Sequence, residues 1–150
     1  MERIANTPCS GIELFRASDG PGLALPFACQ GISCGFPSPA DDYIEQAIDL
    51  NKVLIKDHES TFFGRVSGQS MINANIHQGD VVIIDRSLKP RNDCIALCLL
   101  NGEFTVKRLE ISPTRIVLHP ANPDYKSTLI TPETDFSVWG VVTYVIHKTW

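Results

Sequence analysis

The chain has 150 residues, of which 43% are hydrophobic and 20% charged, and its formal net charge at pH 7 is −4. These values are typical of one globular domain that buries a core without disulfide support. Residues 35–150 have 11 basic and 14 acidic side chains, which argues against a domain held on DNA by phosphate contacts. We therefore expect no direct sequence-specific DNA binding, and any link to nucleic acid through a protein partner.

The cysteines and the apolar segments exclude further classes of protein. The five cysteines are odd in number and form no C-x-x-C pair, so neither a disulfide framework nor a zinc knuckle is indicated. No stretch of the sequence approaches the roughly 18 apolar residues of a membrane-spanning helix, and the first 20 residues lack the basic start of a secretory signal. We expect a cytoplasmic protein with free thiols and no membrane association.

The N-terminal segment reads as an arm. Residues 1–37 contain five glycines and four prolines and show no sustained helical or strand period, which indicates a flexible or extended segment. No charged residue lies between Asp19 and Asp41. An uncharged, mildly apolar arm suits docking on another surface, although the composition alone equally allows a disordered tail.

Two short helices are predicted after the arm. The first begins with Ser38 as cap, Pro39 at the first helical position and Asp41 three residues after the cap. Apolar residues follow at helical spacing, namely Tyr43, Ile44, Ala47 and Ile48. Asp49 then caps a second short turn that runs through Leu50, Val53 and Leu54.

From Phe62 onward the pattern changes to short β runs separated by turn residues. The predicted strands are Phe62–Val66, Asp80–Asp85, Ile95–Leu100, Glu103–Leu109, Arg115–His119 and Val138–Ile146. Between the third and the fourth, Asn101-Gly102 is the favoured pair for a two-residue hairpin turn. The sequence therefore predicts a mostly β domain.

Several enzyme signatures are absent from the sequence. Ile72 stands where a nucleophile elbow around Ser70 needs glycine, there is no S-x-x-K, and His58-Glu59 lacks a second histidine at the zincin spacing. The four histidines are scattered along the chain, so each is expected to be a surface or loop residue rather than a ligand or base. We expect no metal and no other cofactor.

One serine and one lysine remain as candidates. Ser70 follows a predicted strand, where a hydroxyl can project into a cleft, but such a position is by itself a weak signal. Lys107 lies 37 residues later inside a β run, and a lysine can activate a serine provided that its amine is neutral.

The requirement for a neutral amine can be weighed. At an ordinary pKa near 10.4 only about one lysine in 2,500 is neutral at pH 7, so a base needs its pKa lowered by roughly three units, at a cost of about 4 kcal/mol. Strand alternation puts Lys107 on the face of Thr105 and Leu109. Either that face is solvated and Lys107 is an ordinary surface lysine, or it is covered, with the uncharged arm as the available lid.

Five segments, in this order and spacing, resemble the LexA/UmuD-type family of self-cleaving serine proteases, and the resemblance covers about residues 32–147. The segments are Cys34–Gln46, Ser67–Met71, Gly79-Asp80, Glu103–Lys107 and Asn122-Pro123-x-Tyr125. Residues 1–31 do not resemble the family's usual arm and make it longer.

The resemblance implies specific roles. Ser70 is expected to be the nucleophile, Lys107 the general base that later protonates the leaving amine, and Cys34–Gly35 the scissile bond. The backbone N–H groups of Ser70 and Met71 are the expected oxyanion-hole donors. The cut would divide the chain into a cleavable arm, residues 1–34, and a protease domain, residues 35–150.

The resemblance also implies a fold and partners. We expect an incomplete antiparallel β-barrel with short N-terminal helices and an extended N-terminal arm, assembled as a homodimer. Cleavage would be stimulated by a RecA filament on single-stranded DNA, and the product would join a UmuC-like Y-family DNA polymerase subunit in the translesion synthesis of the SOS response. A cleavable transcriptional repressor and a non-cleaving interaction module remain alternatives, although residues 1–37 are too short for a helix-turn-helix.

Overall fold

The protein is built mainly of antiparallel strands in the computed structural model, which describes residues 2–3, 12–17, 24–28 and 44–150. The elements in chain order are β1 (Glu2–Arg3), β2 (Ile12–Arg16), β3 (Ala24–Ala28), β4 (Ile44–Asp49), α1 (Leu50–Leu54), β5 (Thr61–Val66), a 3-10 turn (Ile72–Ala74), β6 (Val81–Asp85), β7 (Ile95–Leu100), β8 (Glu103–Ile111), β9 (Ile116–His119), β10 (Thr128–Ile130) and β11 (Phe136–Ile146). The chain divides into two units, Met1–Ser18 with Asp57–Trp150, and Asp19–Lys56.

The larger unit contains one open sheet. Its nine described strands follow the order β1-β2-β5-β6-β11-β7-β8-β9-β10, and every pairing between neighbours is antiparallel. The prediction of a mostly β fold with an incomplete antiparallel barrel is therefore confirmed. No helix among the described residues is long and apolar enough to cross a membrane.

All six predicted strands are present, with bounds that differ by no more than two residues at either end. The sequence analysis missed β10 and, within the segment interpreted as an arm, β1, β2 and β3. Of these, β2 pairs with β5, and Leu14 at its centre is only 5% exposed. The alternation of Ile12–Arg16 is too short to stand out among glycines and prolines, and pairing with a distant strand completes it.

The first predicted helix is wrong where the structure describes it. Residues Ile44–Asp49 form β4, which pairs antiparallel with β3 in a separate two-stranded sheet. Short apolar runs do not distinguish helix from strand by periodicity, and the β-branched Ile44 and Ile48 suit a strand once a partner is available. The proposed helix start at Ser38–Asp41 lies outside the described residues.

The second predicted helix is confirmed. α1 begins after Asp49, whose side-chain Oδ1 accepts a hydrogen bond from the backbone N–H of Asn51 at 3.0 Å. This contact satisfies one of the amide groups that have no partner in the first turn of a helix.

The main sheet has an apolar cluster on each face, because neighbouring residues of a strand point to opposite sides. The first cluster contains Leu14, Val66, Met71, Ile76, Val82, Ile84, Leu97 and Val106. The second contains Ala96, Cys98, Leu109 and Leu118, all no more than 1% exposed. β7 and β8 therefore contribute to both cores.

The hairpin between β7 and β8 sets the register of these two strands. Asn101 and Gly102 have φ angles of 49° and 82°, as a two-residue hairpin turn of the predicted kind requires. Leu100 then pairs with Glu103, and four residues further along each strand Ala96 pairs with Lys107. This register puts Lys107 on the face of the second apolar cluster.

We expect the substitution Gly140→Ala to destabilise the sheet at its centre. Gly140 lies where the register of β11 shifts against β7, and an added Cβ would lie 2.6 Å from Ile84 Cγ2 and 3.2 Å from the backbone oxygen of Asp85. Relieving such overlap in a packed sheet costs roughly 1–3 kcal/mol of unfolding free energy. Urea denaturation of both proteins measures the difference.

The matched control is Ser137→Ala, an exposed position of the same strand, for which we expect a change within about 0.5 kcal/mol. Equal stability of the two variants would show that the sheet around Gly140 has room for an added methyl group.

Candidate active site

Ser70 lies in the loop that follows β5. The chain leaves the sheet after Val66, passes through residues 67–70 and enters the 3-10 turn. Met71, the next residue, is 3% exposed and packs in the first apolar cluster. The burial of this neighbour anchors the loop, while Ser70 itself remains partly exposed.

A second loop, which follows β9, braces the backbone around Ser70. The backbone N–H of Ala121 donates to the carbonyl oxygen of Ser70 at 2.8 Å, and the N–H of Asn73 donates to the carbonyl oxygen of Ala121 at 2.8 Å. Asn122 donates from Nδ2 to the carbonyl oxygen of Gln69 at 3.0 Å. These contacts hold the serine from both sides along the chain.

The amine of Lys107 lies against the Ser70 hydroxyl. Nζ is 2.9 Å from Ser70 Oγ, 2.8 Å from Thr105 Oγ1 and 3.1 Å from the carbonyl oxygen of Val106. A neutral amine has two N–H donors and one lone pair. Donation to Thr105 and Val106 uses both donors and leaves the lone pair for the Ser70 hydroxyl.

Burial lowers the pKa of the Lys107 amine below its ordinary value. The nearby Cys98 opposes this only as a thiolate, and burial raises the pKa of that thiol to about 12. Cys98 is therefore neutral at pH 7 and provides no counter-ion. No carboxylate of the described residues forms an ion pair with Lys107 either, so none of them opposes the lowering of its pKa.

The face of Lys107 is covered rather than solvated. Ala96, Cys98, Leu109 and Leu118 form the second apolar cluster on that face. These residues of β7, β8 and β9 lie beside Lys107 on the same face of the sheet, and cover by the arm stays a prediction. Of the arm between residues 29 and 43 the structure describes nothing.

A groove of about 410 Å³ opens beside Ser70 and Lys107. Apolar side chains make up much of its lining, among them Met71, Phe104 and Tyr125. Of the described residues that line it, Glu103 and Lys107 are the only acidic and basic ones. Such a groove suits an uncharged segment of peptide chain.

The other predicted site residues are only partly described. The backbone N–H groups of Ser70 and Met71 donate to no acceptor among the described residues, which leaves them available to a developing oxyanion. Cys34 and Gly35 lie outside the described residues. The catalytic roles of all these residues remain predictions.

Sequence reasoning missed the bracing role of Ala121 and Asn122. Asn122 entered only as part of a motif of the resemblance, without a function. Its contact with Gln69 joins positions 53 residues apart, so no local pattern could have indicated it.

Comparison with known proteins identifies relatives of this chain. The family described as "Peptidase S24-like" matches residues 26–143. Protein MucA of Escherichia coli is 40% identical over 135 residues, covering 89% of this chain and 92% of that protein. Protein SamA of Salmonella typhimurium is 44% identical over 124 residues, covering 83% and 86%. The LexA repressor of Desulfatibacillum aliphaticivorans is 34% identical over 140 residues, covering 92% of this chain and 68% of the repressor.

We expect the substitution Lys107→Met to change how stability depends on pH. The folded protein holds the amine at a lowered pKa, whereas in the unfolded chain it keeps a proton up to its ordinary value near 10.4. Between the two values the unfolded state binds more protons, so the stability of the wild type rises with pH, by less than about 1.4 kcal/mol per pH unit. The Met variant lacks this rise.

Urea unfolding from about pH 7 to about pH 10 measures the effect as the difference between wild type and variant. The substitution Lys126→Met, at an exposed lysine, is the matched control and should give a difference that changes little with pH. A constant difference for Lys107→Met would contradict the lowered pKa.

Proposed function

Because the chain belongs to the peptidase S24-like family, whose members are serine peptidases of the self-cleaving kind, we propose that it cuts its own Cys34–Gly35 bond with Ser70 and Lys107. The observation that carries this proposal is the 2.9 Å contact between Lys107 Nζ and Ser70 Oγ, at an amine that has no counter-ion among the described residues. A lysine of lowered pKa beside a hydroxyl is the arrangement that nucleophilic catalysis needs.

In the first half of the reaction, neutral Lys107 takes the proton of the Ser70 hydroxyl while Oγ attacks the carbonyl carbon of Cys34. The tetrahedral oxyanion accepts hydrogen bonds from the backbone N–H groups of Ser70 and Met71. The intermediate collapses as the C–N bond breaks. Lys107 gives its proton to the departing amine of Gly35, and an ester joins Ser70 to Cys34.

In the second half, Lys107 is again neutral and removes a proton from a water molecule, whose oxygen attacks the ester. Collapse returns the proton to Ser70 Oγ and releases residues 1–34 with a free carboxyl group. Thr105 and Val106 keep the amine oriented through both halves, because each accepts a hydrogen bond from Nζ.

The character of the groove supports the assignment of the scissile bond. The chain has no charged residue between Asp19 and Asp41, and this uncharged run contains Cys34 and Gly35. It matches a lining in which Glu103 and Lys107 are the only charged side chains. A charged segment would lose its hydration there without compensation.

We infer a biological role from the same relatives. MucA- and SamA-like proteins support a function in the SOS response and its mutagenesis. The finer proposal is that a RecA filament on single-stranded DNA stimulates the cut and that residues 35–150, as a homodimer, join a UmuC-like Y-family polymerase. Identity favours this role over a repressor, since the chain is 40% identical to MucA and 34% identical to LexA.

We expect purified protein to produce a fragment that begins at Gly35, and to produce it faster at about pH 10 than at about pH 7. The sign follows from Lys107, because its neutral fraction rises with pH until the pH passes its pKa. Intact-mass measurement identifies the fragment. Ser70→Ala and Lys107→Ala should each slow its formation by at least about 1,000-fold.

The matched controls are Ser137→Ala and Lys89→Ala, which change an exposed serine and an exposed lysine that do not line the groove. Both should cleave like the wild type. A Gly35 fragment from the Ser70→Ala protein, or no fragment from the wild type even after addition of a RecA filament, would end the proposal.

A further inference from the structure

Two histidines and an aspartate converge at the end of the sheet where β11 terminates. His77 and Asp80 belong to the loop before β6, and His147 follows the last residue of β11. One possible ligand atom from each residue lies within 4.8 Å of those of the other two. The sequence analysis treated the histidines as scattered. The contact between His147 and Asp80 joins positions 67 residues apart, so no local pattern indicated it.

Asp80 is the fixed member of this cluster. Its side chain is 4% exposed. Oδ2 accepts a hydrogen bond from the backbone N–H of His77 at 2.8 Å, and Oδ1 lies 2.7 Å from His147 Nδ1. The cluster therefore contains a buried carboxylate whose two oxygens are both held in place.

His77 has a nitrogen that protein atoms do not satisfy. Its Nδ1 is buried and has no hydrogen-bond partner among the described residues, although it lies 3.7 Å from Asp80 Oδ2. A buried polar atom without a partner is costly. A cation bound between this nitrogen and the carboxylate would remove that cost.

We propose that His77, Asp80 and His147 bind a divalent transition-metal ion, with Zn²⁺ the best fit. Two imidazole nitrogens and one carboxylate oxygen are a ligand set that zinc takes, with a fourth position left for water. The nitrogen donors argue against Mg²⁺ and Ca²⁺, which prefer oxygen ligands.

The geometry needs only a small adjustment. Ligands about 2.0–2.1 Å from a tetrahedral ion lie roughly 3.4 Å from one another. His77 Nδ1 lies 3.7 Å from Asp80 Oδ2 and His147 Nδ1 lies 2.7 Å from Asp80 Oδ1, and one ligand atom from each of the three residues lies within 4.8 Å of the other two. His77 and His147 are 39% and 47% exposed, so both rings can turn while Asp80 stays in place. Binding replaces the hydrogen bond between His147 and Asp80.

A bound ion would join the end of β11 to the loop before β6, and that loop contacts the end of β5, from which the Ser70 loop begins. The carbonyl oxygen of Asp80 accepts a hydrogen bond from Val66 N–H at 2.9 Å, and Gly79 N–H donates to the carbonyl oxygen of Val66 at 2.9 Å. Val66 is the last residue of β5 before the Ser70 loop. The site is separate from the proposed peptidase site, and neither inference depends on the other.

The test is a titration of the chelator-treated, tag-free full chain with ZnCl₂ by calorimetry, together with the Tm at each metal concentration. We expect one ion per chain, and at 100 times Kd a shift of the folding equilibrium by about 100-fold. His77→Gln and His147→Gln should each weaken binding by at least about tenfold. The His147→Gln variant retains a side chain that can donate a hydrogen bond to Asp80, so the variant is expected to fold.

His119→Gln is the matched control, because His119 Nε2 also lies 2.8 Å from a carboxylate oxygen, on Glu110, at a partly exposed site with no second histidine in its cluster. It should bind zinc like the wild type. Equal affinity in the wild type and both cluster variants, absence of binding, or Co²⁺ spectra with thiolate charge-transfer bands would overturn the proposal. The last result would point to cysteine ligands instead.

Discussion

The placement of one lysine amine that has no counter-ion in the described part of the chain is the constraint on which the rest of this structure depends. Each unit by which the fold lowers the pKa of a lysine costs about 1.4 kcal/mol, so a neutral Lys107 must be supported by the packing around it. The second apolar cluster provides that support, since it removes water from the face of β8 on which Lys107 lies. Cys98 contributes as a small apolar residue, because its thiol stays neutral.

The nucleophile side is organised by hydrogen bonds instead of apolar packing. Three of them join residues 69–73 to residues 121 and 122, so the loop that contains Ser70 is held at several backbone positions. A base with two of its N–H groups already directed at Thr105 and Val106 has little freedom to turn away. Both partners are thus positioned before a substrate arrives, which is the condition for efficient proton transfer.

Local sequence was sufficient for the parts of the fold that local interactions decide. β7 and β8 were predicted because their apolar alternation is flanked by an Asn-Gly turn, and α1 because Asp49 caps it. The helix predicted over Ile44–Ile48 was wrong and β2 was missed, since both strands depend on partners far away in the chain.

The site could be predicted only in part, for a related reason. The local sequence pattern made Ser70 only a weak candidate nucleophile, and it did not decide whether Lys107 is exposed to solvent or buried. Only the resemblance to a known family assigned the two residues to one site. The contact of Asn122 with Gln69 bridges 53 residues, and the contact of His147 with Asp80 bridges 67. Contacts between such distant residues depend on the order of strands in the sheet, which the local sequence around each residue does not indicate.

The order of the strands has a consequence for the growing chain. β11 is C-terminal to every other described strand, yet it lies inside the sheet, bonded to β6 on one side and to β7 on the other. Ser70 follows β5 on the β6 side, whereas Lys107 lies in β8 on the β7 side. Synthesis proceeds from the N-terminus at about 5–20 residues per second, so the two halves exist before the strand that joins them. A nascent chain on the ribosome therefore has Ser70 and Lys107 on separate halves of the sheet, and the proposed self-cleavage would begin only after β11 has emerged.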